Sequence, residues 1–200
     1  MINKIVNWYG KPIILASASP RRRQILQLAG IDFSVQKSNY HEPGDEHTRP
    51  DILVQNHAKA KAFDVAVNFD DAWIIGADTI VVKDDHILEK PKNKADAQGM
   101  LRRLSGTTHV VYTGYCILNS NNKKYVTDVE KTEVHFHQLS DDMINLYIDN
   151  YSPFDKAGSY GIQDFSAIFV RKINGCFYNV VGFPIAHFIR CCLANLKSLL

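Results

Sequence analysis

An aspartate beside a threonine, Asp78-Thr79, interrupts an apolar, β-branched run, Ile74-Ile75-Gly76-Ala77-Asp78-Thr79-Ile80-Val81-Val82. The run reads as a strand apolar on both faces of the pleat, and therefore buried on both sides. An ionised carboxylate in such a place needs a cation, a metal or several hydrogen-bond donors, and groups with those needs gather in active sites. A lone buried Asp can also cap a loop where its strand ends, so Asp78 takes its meaning from its company. That company is basic and polar: Arg21, Arg22 and Arg23 after a Ser-rich turn, Lys61, Lys90, the acid Glu42, and a stretch holding Asp155, Lys156, Gln163 and Asp164. Cations around one carboxylate are the chemistry of a bound polyanion.

The elements that must carry these groups follow from local signals. Ile13-Ile14-Leu15-Ala16 predicts a short strand, and Ser19 as N-cap, Pro20 at the first helical position and Gly30 at the C-cap bracket the next helix. Three arginines thus occupy a first turn whose free N–H groups already attract negative charge, which makes sense if an anion docks there. A solvated basic face is the alternative, but a strand, a Ser-rich turn and guanidinium groups at a helix start together favour phosphate. Residues 31–35 predict a second strand, leading into the polar loop His41-Glu42-Pro43-Gly44-Asp45-Glu46 and a helix opening near Pro50. In that helix Val54, Ala58, Lys61 and Val65 share one stripe, which Lys59 does not join. Lys61 either snorkels outward along its stem or points its ammonium into a cleft floored by the Asp78 strand. Glu42 alone is a surface acid; beside a metal it is a candidate oxygen ligand.

Lys83-Asp84-Asp85-His86 predicts a tight turn and Ile87-Leu88-Glu89 the returning strand of a hairpin, which carries Lys90 back toward Asp78. A helix opens at Asn93 or Lys94 and ends at Ser105-Gly106, and residues 107–118 and 125–136 predict two more strands. His135 and His137 share a strand face, a spacing some metal sites use, but with no third ligand nearby they read as a polar face. Ser140 caps a further helix, and the polar stretch at residues 153–164 is denser in functional groups than a connector needs. Residues 168–173 and 176–181 predict a hairpin over Asn174-Gly175. Pro184 opens the last helix, whose Ile185, Phe188, Ile189, Cys192, Leu193 and Leu196 make an apolar stripe suited to the core, with a subunit contact as a second use.

At 200 residues and 46% hydrophobic, the chain can bury one large or two small α/β units. A net charge of +2 is too mild for a nucleic-acid wrap or a membrane surface, so an anion site has to come from local clustering of Lys and Arg. Beyond residues 21–23 no basic stripe interleaved with aromatics appears, which argues against nucleic acid as a partner. The N-terminal stretch lacks the apolar core of a signal peptide and no segment has the length to span a bilayer, so a cytoplasmic location and no membrane partner are expected. Four cysteines without C-x-x-C spacing read as free buried thiols.

Six segments, in order across nearly the whole chain, resemble the Maf-type nucleoside triphosphate pyrophosphatases: residues 15–22, Gly76-Ala77-Asp78-Thr79, Glu89-Lys90-Pro91, residues 104–109, residues 155–163 and residues 179–184. The resemblance implies an α/β fold with a long mixed twisted sheet shared by two lobes around a central cleft, as a single domain over residues 1–200, commonly a homodimer. It implies a general base at Asp78, a phosphate-binding arginine at Arg21, and polar cleft residues at Ser17, Glu42, Lys61 and Lys90. The Tyr160-Gly161-Ile162-Gln163 sequence is similar to the branch that hydrolyses dTTP and UTP, with Arg21, Thr79 and Gln163 at the specificity positions. A carboxamide offers a donor and an acceptor that pair with O4 and N3–H of uracil or thymine. The implied reaction is cleavage between the α and β phosphates with a divalent ion, Mg²⁺ or Mn²⁺, for which Glu42 and Asp78 are the candidate ligands, either one serving. Asp164 stands where the pattern has Gly, and Ser159 where Ala is common; the first bears on the backbone beside Gln163. The rival reading is a nucleotide-binding regulator of cell division with incidental hydrolysis.

Overall fold

A computed structural model of the chain describes residues 5–43 and 48–200, so residues 1–4 of the N-terminal stretch and residues 44–46 of the polar loop lie outside the described residues. Strands β1 (Ile13–Leu15), β2 (Ser34–Val35), β3 (Trp73–Lys83), β4 (His86–Leu88), β5 (Thr108–Asn119), β6 (Tyr125–Phe136) and β7 (Val170–Asn174) form one mixed sheet. Its order is β2-β1-β3-β5-β6-β7, with β4 also paired to β3. The first three strands are parallel, and the pairs that follow are antiparallel. The helices are α1 (Pro20–Leu28), α2 (Pro50–Ala66), α3 (Lys94–Leu104), α4 (Asp141–Tyr151), α5 (Phe177–Val181) and α6 (Ile185–Asn195). Among the described residues no helix is long and apolar enough to cross a membrane.

β3 is the apolar run read from the sequence, buried along nearly its whole length. Ile74 packs with α2 on one face, while Ile75 and Ala77 pack with α1 and α6 on the other. Two glycines let α2 lie directly on the sheet backbone. A Cβ on Gly76 would fall 2.0 Å from the Ala58 carbonyl oxygen, and one on Gly114 2.5 Å from the Val54 carbonyl carbon. Gly114 is also the β5 partner of Asp78, so the close approach is centred on the aspartate.

The two edges of β3 are covered unequally. β5 pairs with it from Trp73 to Val82. On the opposite edge β1 reaches only residues 73–75 and β4 only residues 81–83, which leaves residues 76–80 without a strand neighbour on that side.

Three expectations need correction. Residues 31–35 were expected to be a strand, yet β2 holds only Ser34 and Val35. Ile31 belongs instead to the end of α1: Gly30, at φ 69°, donates its N–H to Gln27 O, and Ile31 donates to Leu26 O, which closes the helix with a buried apolar residue. The hairpin over Asn174-Gly175 does not form, because β7 pairs with β6 and residues 177–181 are helix α5. Thr132 receives the N–H of Cys176 and donates to its carbonyl, and buried Asn179 donates to Val111 O and Thr132 Oγ1 at 3.0 Å each, so the chain folds down onto the sheet. On α6, Phe188 and Cys192 are buried and Ile185 and Ile189 pack against the same cluster, but Leu193 is 55% exposed. All four cysteines are free.

Candidate active site

The break in the sheet at residues 76–80 opens into a cavity of about 590 Å³. Its floor is the middle of β3; its walls come from the β1–α1 connection, residues 37–42, Lys90 and residues 155–164. Neighbouring residues of a strand point to opposite faces, and Asp78 and Thr79 reach the same cavity because no strand lies beside them. Ser17, Arg21, Glu42, Lys61, Asp78, Thr79, Lys90 and Gln163 all line it, so every site residue expected from the sequence falls around one space.

Asp78 is buried, and its Oδ1 accepts a hydrogen bond from Lys61 Nζ at 2.7 Å. Lys61 also donates to Ala77 O at 3.3 Å and meets Glu42 Oε1 at 2.5 Å. Of its two expected outcomes, Lys61 therefore takes the inward one, and one ammonium joins carboxylates from two separate segments. The contact depends on α2 lying on Gly76 and Gly114. Burial pushes the Asp78 carboxyl upward, but the charges of Lys61 and Arg22 outweigh it and hold the group below the usual carboxylate range. Asp78 is thus ionised at neutral pH.

Glu42 is held over α2 by the segment before it. Ser38 Oγ and Asn39 N both donate to Asp64 Oδ2, at 2.8 and 2.7 Å, and Tyr40 OH lies 3.1 Å from His57 Nδ1. Asp64 and His57 flank Lys61 on the same helix, so the strap delivers Glu42 to Lys61. Two carboxylates that converge on one cation, beside space for phosphate oxygens, match the way Mg²⁺ is held at phosphate-transfer sites, through one or two carboxylates plus the substrate. Glu42 and Asp78 therefore fit a divalent ion.

The arginines of α1 divide their work. Arg21 donates from Nη1 to Asp155 Oδ2 at 2.9 Å and from Nη2 to Asp155 O at 3.4 Å, linking the start of α1 to residue 155 across the cavity. Arg22 turns inward: Nε donates to Gly182 O at 2.9 Å, Nη1 to Ser17 Oγ at 3.1 Å and Nη2 to Thr79 Oγ1 at 3.0 Å. Among the described residues its acceptors are all neutral oxygens, so its charge has no carboxylate in contact. Asp78 and Glu42 act on it only through space. Arg22 was not singled out from the sequence, although a signal exists: it shares the i, i+3, i+4 stripe of buried Ile25 and Leu26. Thr79 Oγ1 continues the network to Thr113 Oγ1 at 2.9 Å, and Thr113 donates to Asn179 O.

Lys90 and Gln163 are exposed at the cavity wall. Gln163 rides on a small closed turn in which Asp164 N donates to Gly161 O at 3.1 Å, Gly161 N to Ser166 Oγ at 2.9 Å and Ser166 N to Asp164 Oδ1 at 2.9 Å. Asp164, at φ −110°, is extended backbone that needs no glycine, and its carboxylate builds the turn. Ser159 does sit in the left-handed region, at φ 64°. His135, considered as a metal ligand and set aside, has its Nδ1 2.8 Å from Thr108 Oγ1 on the neighbouring strand.

An ionised, buried aspartate in a cavity lined by six lysines and arginines is an arrangement suited to a polyanion. Comparison with proteins of related sequence points the same way. A family model described as "Maf-like protein" matches residues 12–194. The dTTP/UTP pyrophosphatase of Bacillus cereus is 47% identical over 180 residues, which cover 90% of this chain and 88% of that protein. The dTTP/UTP pyrophosphatase of Thermotoga maritima is 45% identical over 173 residues, covering 86% of this chain and 84% of that protein. A solved nucleoside-triphosphatase / dITP/XTP pyrophosphatase from Mycobacterium abscessus aligns over 94% of this chain and 98% of its own, with a TM-score of 0.45 and 12% identity.

Proposed function

From membership of the Maf-like family, to which this chain belongs, we propose that the cavity hydrolyses nucleoside triphosphates, dTTP and UTP above others, releasing the monophosphate and pyrophosphate. The observation that carries this reading is the meeting of Asp78, Lys61 and Glu42 beneath Arg22 in the gap of the sheet. The names of the relatives support it over a regulator in which hydrolysis is incidental. So does the chemistry: a pure binding site gains nothing from carboxylates that repel the phosphates.

In this reading Asp78 orients the attacking water and accepts its proton, a role open to it because Lys61 and Arg22 keep it ionised. Arg21, Arg22, Lys61 and Lys90 supply positive charge against the charge that builds on the leaving pyrophosphate. Arg21 exchanges Asp155 for a phosphate oxygen as the nucleotide enters. Asp78 and Glu42 would hold Mg²⁺ or Mn²⁺, which when bound would supply further neutralisation of the triphosphate. At the other end of the substrate, Gln163 pairs with N3–H and O4 of the pyrimidine, and a base with another donor and acceptor pattern leaves that amide unpaired. A homodimer belongs to the same proposal, and sedimentation velocity checks it.

The test is a panel of dTTP, UTP, dCTP, ATP and GTP with Mg²⁺ or Mn²⁺, scoring monophosphate and pyrophosphate. Fast, selective cleavage of dTTP and UTP supports the reading. Binding of nucleotide without cleavage returns the protein to the regulator reading, and preference for a purine removes the role of Gln163 while leaving the reaction.

A further inference from the structure

We propose that His109 and Tyr160 form a buried strut that sets where Gln163 stands, and so act as positioning residues for the choice of base. The inference rests on the base-selective reading of the cavity given above. His109, on β5, is 1% exposed and Tyr160 5% exposed, and His109 Nε2 lies 2.8 Å from the Tyr160 hydroxyl oxygen. Both rings also meet Phe136 edge to face, with centroids 4.9 and 4.8 Å from it. His109 Nδ1 has no partner among the described residues. If Nε2 carried the proton, both Nδ1 and the tyrosine hydrogen would be buried without partners. With the proton on Nδ1, Tyr160 donates to Nε2 and a single orphan remains, so this tautomer is assigned. Burial pushes the His109 pKa down to about 3, so the imidazole stays neutral and accepting wherever nucleotides are handled at ordinary pH.

Tyr160 is the last residue before the closed turn that carries Gln163. Gly161 is held to Ser166 and Asp164, so residues 161–166 move as one piece. Upstream, Gly158 N donates to Glu89 O at 3.1 Å, which anchors the far side of Tyr160. The hydroxyl of Tyr160 is thus the polar link between that piece and β5. A shift of the ring displaces Gln163 against the base while Asp78, Lys61 and Glu42, on β3, α2 and the 38–42 segment, stay where they are. Loss of the strut is therefore expected to alter selectivity more than turnover.

The experiment compares wild type, Tyr160→Phe, and Tyr160→Phe combined with His109→Leu. For each, kcat/KM is measured for the nucleotide that the wild type cuts fastest and for the next best base, beside the thermal midpoint. The expected result is a fall of about tenfold in that selectivity ratio for the single variant, the scale of a lost base-pairing geometry. In the double variant the buried imidazole is gone, so no polar group is left without its partner and the midpoint recovers, but the ratio stays low. A ratio unchanged in both variants overturns the proposal, as does a ratio that recovers together with the midpoint. Should the wild type show no base preference, the base-selective reading falls on that panel alone. Amide exchange over residues 161–165 then judges the strut: faster exchange in Tyr160→Phe supports it, and unchanged exchange overturns it.

Discussion

Lowering the pH from 7 to 5 is expected to destabilise the protein through His109. In the unfolded chain this imidazole takes up a proton near its ordinary value of 6.5; in the fold, burial pushes that down to about 3, with Lys83 and His135 adding to the effect. Between those values the unfolded state binds the extra proton, so stability falls as pH falls, beginning below 6.5 and complete near 3. At about 1.36 kcal/mol per pH unit, the loss between pH 7 and pH 5 is about 2 kcal/mol. Paired urea titrations at the two pH values measure it, run on wild type and on the His109→Leu, Tyr160→Phe double variant. The other seven of the eight histidines are common to both proteins, so the difference between their losses isolates His109. The wild type should lose about 2 kcal/mol more than the variant. Equal losses, or a His109 ring proton that titrates near pH 6 in the folded protein, would show that the site admits the charged imidazole, and the burial argument would be wrong.

Asp78→Asn keeps the shape of the site and removes the base, so turnover should fall by about 10² to 10⁴ with nucleotide binding retained; a near-normal rate in a preparation free of contaminating hydrolase takes Asp78 out of that role. Lys61→Met leaves two carboxylates facing one another without their shared cation and should cost about 3 kcal/mol in urea denaturation. Mn²⁺ should then raise the thermal midpoint more in that variant than in wild type, because the ion also relieves the repulsion that the ammonium had balanced; no Mn²⁺ response in either protein would argue against metal binding by Glu42 and Asp78. Gly76→Ala places a methyl group 2.0 Å from the Ala58 carbonyl, so α2 has to lift from the sheet. The expected cost is roughly 3 kcal/mol with a loss of activity as Lys61 withdraws from Asp78, and an unchanged urea midpoint would mean that α2 moves freely.

What could be read in the residues divides by the range of the forces involved. The ends of α1 were legible because Ser19 and Pro20 at one end and Gly30 at the other each act within a turn of the end they mark, and β3 because burial on both faces leaves apolar residues on either side of Asp78-Thr79. The inward turn of Lys61 was half legible: its stripe placed it on the buried face, but only the glycines beneath α2 decide that its ammonium reaches Asp78. The failed hairpin shows the opposite case. Asn174-Gly175 between β-prone residues is a strong local signal, and it lost to Asn179 and Thr132, whose pairing joins residues 47 positions apart. Arg22 was passed over for the same reason, since its partners Ser17, Thr79 and Gly182 come from three separate segments.

The gap in the sheet is the feature least accessible to local reading and the one on which the chemistry depends. A strand buried by neighbours on both edges would hold Asp78 and Thr79 on opposite, separated faces, and no ligand could touch both. β1 stops after Leu15 and β4 begins pairing only at Val81, so the chain leaves the middle of β3 bare on one edge. The open edge is not left to aggregate or fill with water alone. Lys61 donates to the free carbonyl of Ala77 on one face, and Arg22 reaches the Thr79 hydroxyl on the other. Two cations from helices on opposite faces of the sheet thus take up positions at the break, on either side of a single carboxylate. The same absence of a strand that opens the cavity to Asp78 is what keeps Asp78 ionised, because its counter-charges stand at the break.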